Sequence, residues 1–396
     1  MSAAFRSILL GLWFLGAGCA QSVIGERAPT NPTAPIARPP GCPVVPDPGR
    51  WVRITDERAP SPRAFAASAE VDGRLFLWGG LGTSGDRVDG ALFDPASGRW
   101  EPLPEGAPGG DQRRLVVAPL GAKVLVWGTF DRRGAVYDVR ASRWTPVGEV
   151  GAPRFAQRAV GTSDAWFVWG LGGVGAHNEV ALFNPERALW RATLAPLSQD
   201  ARNLSAITWT GRQVLVWGGT EATFSTQPPR ADGFRYDPAS DQWSSVEVAG
   251  APSPRWGAEL FWTGAEALVW GGNNGSRQLW DGGLYDPVDD RWRPLPSAAG
   301  VLRVADSAPT VEALAAWTGC SLFVWAGALP GSGPRAVLFD PFSLQWHEAA
   351  PFPGTVAQEG VVVRAVNGAV IVWGGRQGGF PRREPTGEGW LWTSAR

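Results

Sequence analysis

Residues 74–100 read RLFLWGGLGTSGDRVDGALFDPASGRW and contain the two elements that recur along this chain. The first element is an apolar run that ends in Trp78 and a pair of glycines. The second is an aromatic residue before Asp-Pro, here Phe93, with Trp100 seven residues later. The first element recurs at intervals of 42 to 55 residues, a period typical of one four-stranded β-propeller blade per repeat. Its seven copies contain Trp78, Trp127, Trp169, Trp217, Trp270, Trp325 and Trp373.

The second element keeps its spacing of seven residues in all six copies, which indicates a tight turn between two paired strands. In Asp94–Gly98 the proline presets the backbone angle φ, and the aspartate side chain can accept hydrogen bonds from the turn. The constant interval leaves no room for insertions. The six pairs are Phe93 and Trp100, Tyr137 and Trp144, Phe183 and Trp190, Tyr236 and Trp243, Tyr285 and Trp292, and Phe339 and Trp346.

Each repeat is interpreted as four strands, a to d, and the seventh repeat lacks its strand d. After Trp373 the chain offers material for a strand c only. At the other end, Trp51 precedes Trp78 by 27 residues, the interval that separates Trp100 from Trp127. An N-terminal strand that completes the last blade would leave no unpaired edge. We therefore predict an all-β, seven-bladed β-propeller of four-stranded blades, closed by the N-terminal strand.

These motifs resemble those of the kelch-repeat family of seven-bladed β-propellers, including the galactose-oxidase-like central domains. The resemblance covers residues 49–396 and includes a recurrent Pro-Arg before strand a, as in Pro62-Arg63. It implies a kelch-type propeller over this range. Function does not follow, because one fold hosts many functions.

The residues of an oxidase site are missing from the pattern. The resemblance to galactose oxidase would imply a copper site built from two Tyr and two His, with one Tyr crosslinked to a Cys. Here the three tyrosines all take the aromatic position of strand c, and His177 and His347 fall in unrelated places. The GxGxxG string at residues 170–175 precedes a strand and is interpreted as a glycine-rich b–c loop, not a dinucleotide site. We expect no metal and no cofactor.

The composition excludes two other classes of protein. The 36 Lys and Arg are balanced by 37 Asp and Glu, which argues against nucleic acid as a partner because phosphate binding needs a basic surplus. Apolar residues make up 44% of the chain and charged residues 18%, which excludes intrinsic disorder. The 52 Gly, 35 Pro and 23 Trp are typical of a turn-rich β protein.

The N-terminal part predicts export. Residues 1–19 have the charged start and short apolar run of a secretory signal peptide. The run ends in Leu15–Cys19, which resembles the lipobox of bacterial lipoproteins, where Cys19 would be lipidated. Cleavage near Ala20 without lipidation is the alternative. Residues 20–48 are proline-rich and predict a semi-rigid linker. We expect an exported protein at the bacterial outer membrane or in the periplasm, held by a lipid anchor.

Cys42 and Cys320 are candidates for a disulfide bond. An exported protein meets an oxidising environment, where pairing is favoured. Cys320 lies in the predicted a–b turn of blade six, and Cys42 enters strand d of blade seven from the side of the c–d turns. These turns share one face of a propeller, so a bridge is feasible. Two unpaired thiols are the alternative.

An arginine recurs fifteen residues before the strand b tryptophan in four blades. It would stand where strand a begins, at the rim of the central channel, and converging guanidinium groups could bind an anionic or polyhydroxyl ligand. In the alternative interpretation each arginine ties its own inter-blade loop. The four residues are Arg63, Arg154, Arg202 and Arg255.

Two further sets of residues are candidates for contact with water or ligand. Strand a carries charged residues among apolar neighbours, which are tolerated if they face a water-filled channel; a catalytic pair is the alternative. The b–c loop of blade five combines Asn, Arg and Trp, as a carbohydrate or protein contact surface does. The channel set is Arg158, Glu259, Glu312 and Glu359, and the loop set is Asn273, Asn274, Arg277 and Trp280.

These observations favour a monomeric, non-enzymatic binding or scaffolding module tethered at the bacterial cell envelope. It would recognise a protein or a glycan through the d–a and b–c loops. The alternative is a periplasmic carbohydrate-acting enzyme or lectin-like protein, similar to the kelch-like sialic-acid epimerases. The sequence leaves the identity of the ligand and the question of catalysis open.

Overall fold

The computed structural model describes residues 37–106, 114–171, 178–195, 202–221, 228–304, 313–327, 333–354, 359–377 and 384–394. Within these ranges the strands form seven four-stranded antiparallel sheets, and each sheet is one blade of a β-propeller. Helix in the same ranges is limited to one turn at Ala299–Leu302, between blades five and six. The predicted fold class is confirmed.

In every blade the strands follow the order a-b-c-d across the sheet, as the repeats predict. Strands a to d of blade one are Ala67–Val71, Arg74–Trp78, Gly90–Asp94 and Arg99–Pro102, and those of blade two are Leu115–Leu120, Lys123–Gly128, Gly134–Asp138 and Arg143–Val147. Those of blade three are Phe155–Gly161, Trp166–Leu171, Asn178–Asn184 and Leu189–Leu194, those of blade four are Ala206–Trp209, Val214–Trp217, Gly233–Asp237 and Gln242–Ser245, and those of blade five are Glu259–Trp262, Ala267–Trp270, Gly282–Asp286 and Arg291–Leu295. Those of blade six are Ala313–Trp317, Leu322–Ala326, Arg335–Asp340 and Gln345–Glu348, and those of blade seven are Val362–Val366, Ala369–Trp373, Gly389–Thr393 and the N-terminal Arg50–Ile54.

The N-terminal strand completes the seventh blade. Arg50–Ile54 pairs antiparallel with Gly389–Thr393, and Trp51 lies opposite Trp392. The carbonyl of Pro48 accepts hydrogen bonds from the Trp392 indole at 2.9 Å and from the backbone N–H of Ala350 at 2.8 Å. The predicted closure is therefore present in the sheet pairing.

The repeated tryptophans pack between blades. In each case the strand b tryptophan of one blade meets the strand d tryptophan of the next, with ring centroids 5.0 to 6.2 Å apart. Such tilted and edge-on aromatic pairs add to the burial of apolar surface. The seven pairs are Trp78 and Trp144, Trp127 and Trp190, Trp169 and Trp243, Trp217 and Trp292, Trp270 and Trp346, Trp325 and Trp51, and Trp373 and Trp100.

The alternating strand directions give the propeller two distinct faces. The d–a and b–c connections lie at one end of the strands and form the loop face. The a–b and c–d turns lie at the other end and form the turn face. Strands a line the central channel, which opens on the loop face where these strands begin. Any site built from several blades is therefore found at the channel or on one of these faces.

Candidate functional site

Arg63, just before strand a of blade one, is buried and bound to its own blade. Its Nε donates to the Ser61 carbonyl at 2.9 Å, and its Nη1 donates to the carbonyls of Gly79 at 3.2 Å and Asp89 at 2.9 Å. Its Nη2 donates to the Asp89 carboxylate at 2.8 Å. One guanidinium group thus joins the d–a loop, the glycine pair and the b–c loop.

Arg255 and Arg202 repeat this arrangement in blades five and four, and both are buried. The Arg255 Nη1 donates to the Gly271 and Asp281 carbonyls, both at 3.0 Å. The Arg202 guanidinium donates to the Asp232 carbonyl at 3.0 Å and to the Asp232 carboxylate. The recurring partner is an Asp just before strand c.

The three buried arginines therefore have the alternative, loop-tying role. A ligand at the rim would have to displace the Asp and carbonyl groups that these guanidinium groups already bind. The predicted ligand-binding rim is corrected accordingly for Arg63, Arg202 and Arg255. Arg154 differs, because its side chain is exposed and forms an ion pair with Glu179 at 3.5 Å.

The b–c loop of blade five is organised by its own side chains. The Asn273 Oδ1 accepts the Gly275 N–H at 2.7 Å, and the Asn274 Oδ1 accepts the Arg277 N–H at 2.9 Å. Trp280 is 4% exposed and packs into the core shared by blades five and six. The interpretation of Trp280 as an exposed stacking residue is wrong, because the chain turns inward before strand c. Arg277 is exposed.

The segment before strand d of blade seven is fastened to the turn face of blade six. Cys42 and Cys320 form a disulfide bond, with Cα atoms 5.4 Å apart. Arg38 pairs with the buried Asp340 carboxylate at 2.7 Å and lies over the Phe342 ring at 4.6 Å. Arg38 and Cys42 therefore meet the propeller on the turn face, opposite the loop face.

Three charged side chains of the described residues line the channel at its loop-face end. Arg158 and Glu259 lie there as predicted, together with Arg364 from blade seven. Burial raises the pKa of the Glu259 carboxyl above its ordinary value, and Arg364 and Arg158 oppose this shift. Glu359 lies elsewhere, paired with Arg376. Arg364 carries the same sequence signal as Arg158, a charge among apolar residues of strand a.

Two apolar residues at the channel mouth have left-handed backbone. Phe65 has φ of 57° and is 42% exposed, and Leu204 has φ of 56° and is 38% exposed. The equivalent positions of blades five and seven are Gly257 and Gly360, also with positive φ. The shared conformation allows inter-blade hydrogen bonds from Phe65 N–H to Gly360 and from Gly257 N–H to Leu204. Sequence reasoning missed these two residues, although their alignment with glycine is visible.

Two further features of the described residues concern metal ligands and membrane-spanning helices. Among the described residues no group of three or more His, Cys, Asp or Glu side chains is placed to hold a metal ion. No helix in the described part of the chain has the length and apolar character needed to cross a membrane. Cys19, His177 and Glu312 lie outside the described residues.

Comparison with known proteins gives two similar kelch-like proteins. Kelch-like protein terF of Aspergillus terreus (strain NIH 2624 / FGSC A1156) is 27% identical over 277 residues, 63% of this chain and 57% of terF. Kelch-like protein 34 of Homo sapiens is 27% identical over 284 residues, 63% of this chain and 41% of that protein. These similarities and the seven blades support a kelch-repeat propeller. No family model matches the chain, which spans about half the length of these relatives.

Proposed function

We propose that this propeller is a non-enzymatic binding or scaffolding module that recognises a protein partner through its loop face. Kelch-type propellers generally bind protein partners, and the chain is similar to two kelch-like proteins. The three buried arginines have structural roles, so the loop face does not depend on them for recognition. Its apolar residues provide the contact surface.

The exposed, left-handed Phe65 and Leu204 carry this proposal. A left-handed backbone costs a bulky residue about 1–2 kcal/mol, and glycine avoids that cost. The inter-blade hydrogen bonds need the backbone conformation but not the side chains, as Gly257 and Gly360 demonstrate in the same ring of positions. Neither side chain is buried in the core, so the strain at these two positions points to a role at the surface.

The neighbours of these residues are typical of a protein contact. The Arg376 guanidinium lies 5.0 Å from the Phe65 ring centroid, and the Arg114 guanidinium lies 5.1 Å from that of Phe130. Phe130 is half-exposed on the b–c loop of blade two. Aromatic residues and arginine are enriched where proteins bind one another. The face thus offers apolar anchors with charged groups around them.

We also propose that the protein is exported and tethered to a bacterial membrane through a lipid on Cys19. The lipobox-like sequence and the proline-rich linker support this proposal, and the Cys42–Cys320 bond fits an oxidising compartment. Replacing Cys19 with Ala should move the protein from the membrane fraction to the soluble fraction.

The loop-face proposal is tested by site-specific crosslinking in the full chain. A photoreactive residue at Val88, on the b–c loop of blade one, should capture a partner that the same residue at Val288, on the turn face, does not. The double variant Phe65→Gly and Leu204→Gly should lose this capture, whereas Val288→Ala should keep it. Capture that is equal from both faces, or unchanged in the double variant, would contradict the proposal.

A further inference from the structure

The loop-face end of the channel contains a cavity that the proposed function does not use. Its volume is about 320 Å³, within the range of small-ligand sites of roughly 300–1,000 Å³. Apolar residues such as Leu115, Val117 and Ile207 form part of its wall. The polar and charged residues that line it are Ser68, Gln157, Arg158, Glu259 and Arg364.

Arg158 lines the cavity and interacts with Glu259 through its charge. Within the described residues its guanidinium group makes no hydrogen bond and no ion pair, and its side chain is exposed to the channel. Strand a of blade three has a β-bulge between Ala156 and Arg158. Bulges redirect side chains and are frequent beside active sites. The local backbone therefore places the Arg158 guanidinium group at the cavity wall, where it makes no hydrogen bond to a described residue.

Arg364 is held in place but keeps part of its donor capacity. Its Nε donates to the Ser68 carbonyl at 3.3 Å, and its Nη1 donates to the Val363 carbonyl at 3.0 Å. Among the described residues the Nη2 group has no hydrogen-bond partner. A planar guanidinium whose position is already fixed loses little entropy when it binds an anionic group.

Among the described lining residues, cationic groups outnumber anionic ones. Two guanidinium groups face one carboxyl group, that of Glu259, which forms no hydrogen bond within the described residues. Desolvation raises the pKa of this carboxyl, and Arg364 and Arg158 oppose the shift. Walls of low dielectric strengthen the attraction between such a site and an anion.

We propose that this cavity binds a small organic anion, whose carboxylate or phosphate group is held by Arg158 and Arg364. Gln157 and Ser68 line the cavity beside them and can bind hydroxyl groups of the ligand. The site is separate from the protein-binding face, because it lies inside the channel and uses neither Phe65 nor Leu204. Either proposal can fail without the other.

Titration calorimetry on the full chain tests the proposal with three probes that share one carbon skeleton. Gluconate carries a carboxylate, glucose 6-phosphate carries a phosphate, and glucose is neutral. At least one anion should bind in the micromolar to millimolar range, and glucose should not bind. The anion that binds more tightly identifies the chemical class of the ligand.

Variants at two arginines separate a specific site from general attraction. Loss of a charge-assisted contact in Arg158→Gln should weaken binding roughly ten- to a hundredfold. Arg158→Lys keeps the charge but not the planar fork and should be intermediate. Arg154→Gln, outside the cavity, should bind like the wild type. The proposal is overturned if neither anion binds at millimolar concentration, if glucose binds equally well, or if Arg158→Gln leaves the affinity unchanged.

Discussion

The indole ring of Trp51 lies 5.9 Å from that of Trp325, and its Nε1 donates a hydrogen bond to the Ala350 carbonyl at 2.9 Å. Trp51 belongs to the N-terminal strand and Trp325 to blade six, so this contact joins the two ends of the repeat array. The pair Trp217 and Trp292, inside the array, has nearly the same separation of 5.6 Å. The closing interface thus repeats the interface between interior blades.

The first prediction concerns this closure. Trp51→Ala should lower the free energy of unfolding by about 3–5 kcal/mol, because it removes a large aromatic side chain from an inter-blade core. Val52→Ala is the matched control, since Val52 is its neighbour and is exposed. Urea denaturation of both variants measures the difference. Equal midpoints would show that the N-terminal strand does not stabilise the ring.

The disulfide bond gives a second prediction. Cys42 and Cys320 are 278 positions apart, and a bond that closes so long a loop restricts the unfolded chain strongly. The double variant Cys42→Ser and Cys320→Ser should lose about 2–5 kcal/mol of stability. A reducing agent should lower the melting temperature of the wild type to a similar extent and leave that of the variant unchanged. An unchanged melting temperature of the wild type in the reducing agent would contradict a stabilising role of the disulfide bond.

A third prediction tests the role of the buried arginines. Arg255→Gln should lower stability by about 2–4 kcal/mol, because it leaves the Gly271 carbonyl and the Asp281 carboxylate without their donor. Arg154→Gln removes only an exposed ion pair and should change stability by less than about 0.5 kcal/mol. Thermal and chemical denaturation compare the two. Equal losses of stability in the two variants would contradict a structural role that is specific to the buried arginine.

The sequence predicted the parts of the fold that depend on spacing. The 27-residue interval before Trp78 identified the closing strand, because strand pairing requires matched lengths in every blade. Spacing does not show which way a side chain turns. Arg63 and Arg154 share one interval to their tryptophans, and each pairs with an acidic residue four positions before the strand c aromatic, but only Arg63 is buried. Trp280 was misjudged for a similar reason, since its inward turn depends on the neighbouring blade.

The fourth prediction concerns backbone strain at Phe65. Phe65→Ala removes the ring and keeps the left-handed strain, whereas Phe65→Gly removes both. Glycine also increases the entropy of the unfolded chain, which offsets about 0.4–1 kcal/mol of the relief. Phe65→Gly should therefore be at least as stable as Phe65→Ala in chemical denaturation. A glycine variant that is less stable by more than about 1 kcal/mol would show that the backbone at this position is unstrained.

The last prediction concerns the pH dependence introduced by Glu259. Its pKa is raised from the ordinary value of 4.5 by desolvation, with Arg364 and Arg158 opposing the shift, so the folded protein binds this proton more tightly than the unfolded chain does. The stability that this proton provides is complete below the unfolded pKa and is lost as the pH rises through the folded pKa. Above the unfolded pKa this group therefore destabilises the folded state, because the desolvated site disfavours the ionised carboxyl.

Glu259→Gln removes that penalty and should stabilise the protein at neutral pH. The difference from the wild type should shrink as the pH falls and disappear below the ordinary pKa of the carboxyl, where this position is neutral in the folded and unfolded states of both proteins. Melting temperatures of the two proteins across this range measure the effect. Glu70→Gln is the control, since Glu70 also lies on a strand a but is exposed and does not line the channel cavity. A difference that stays constant with pH would mean that the variant acts through packing and not through the charge.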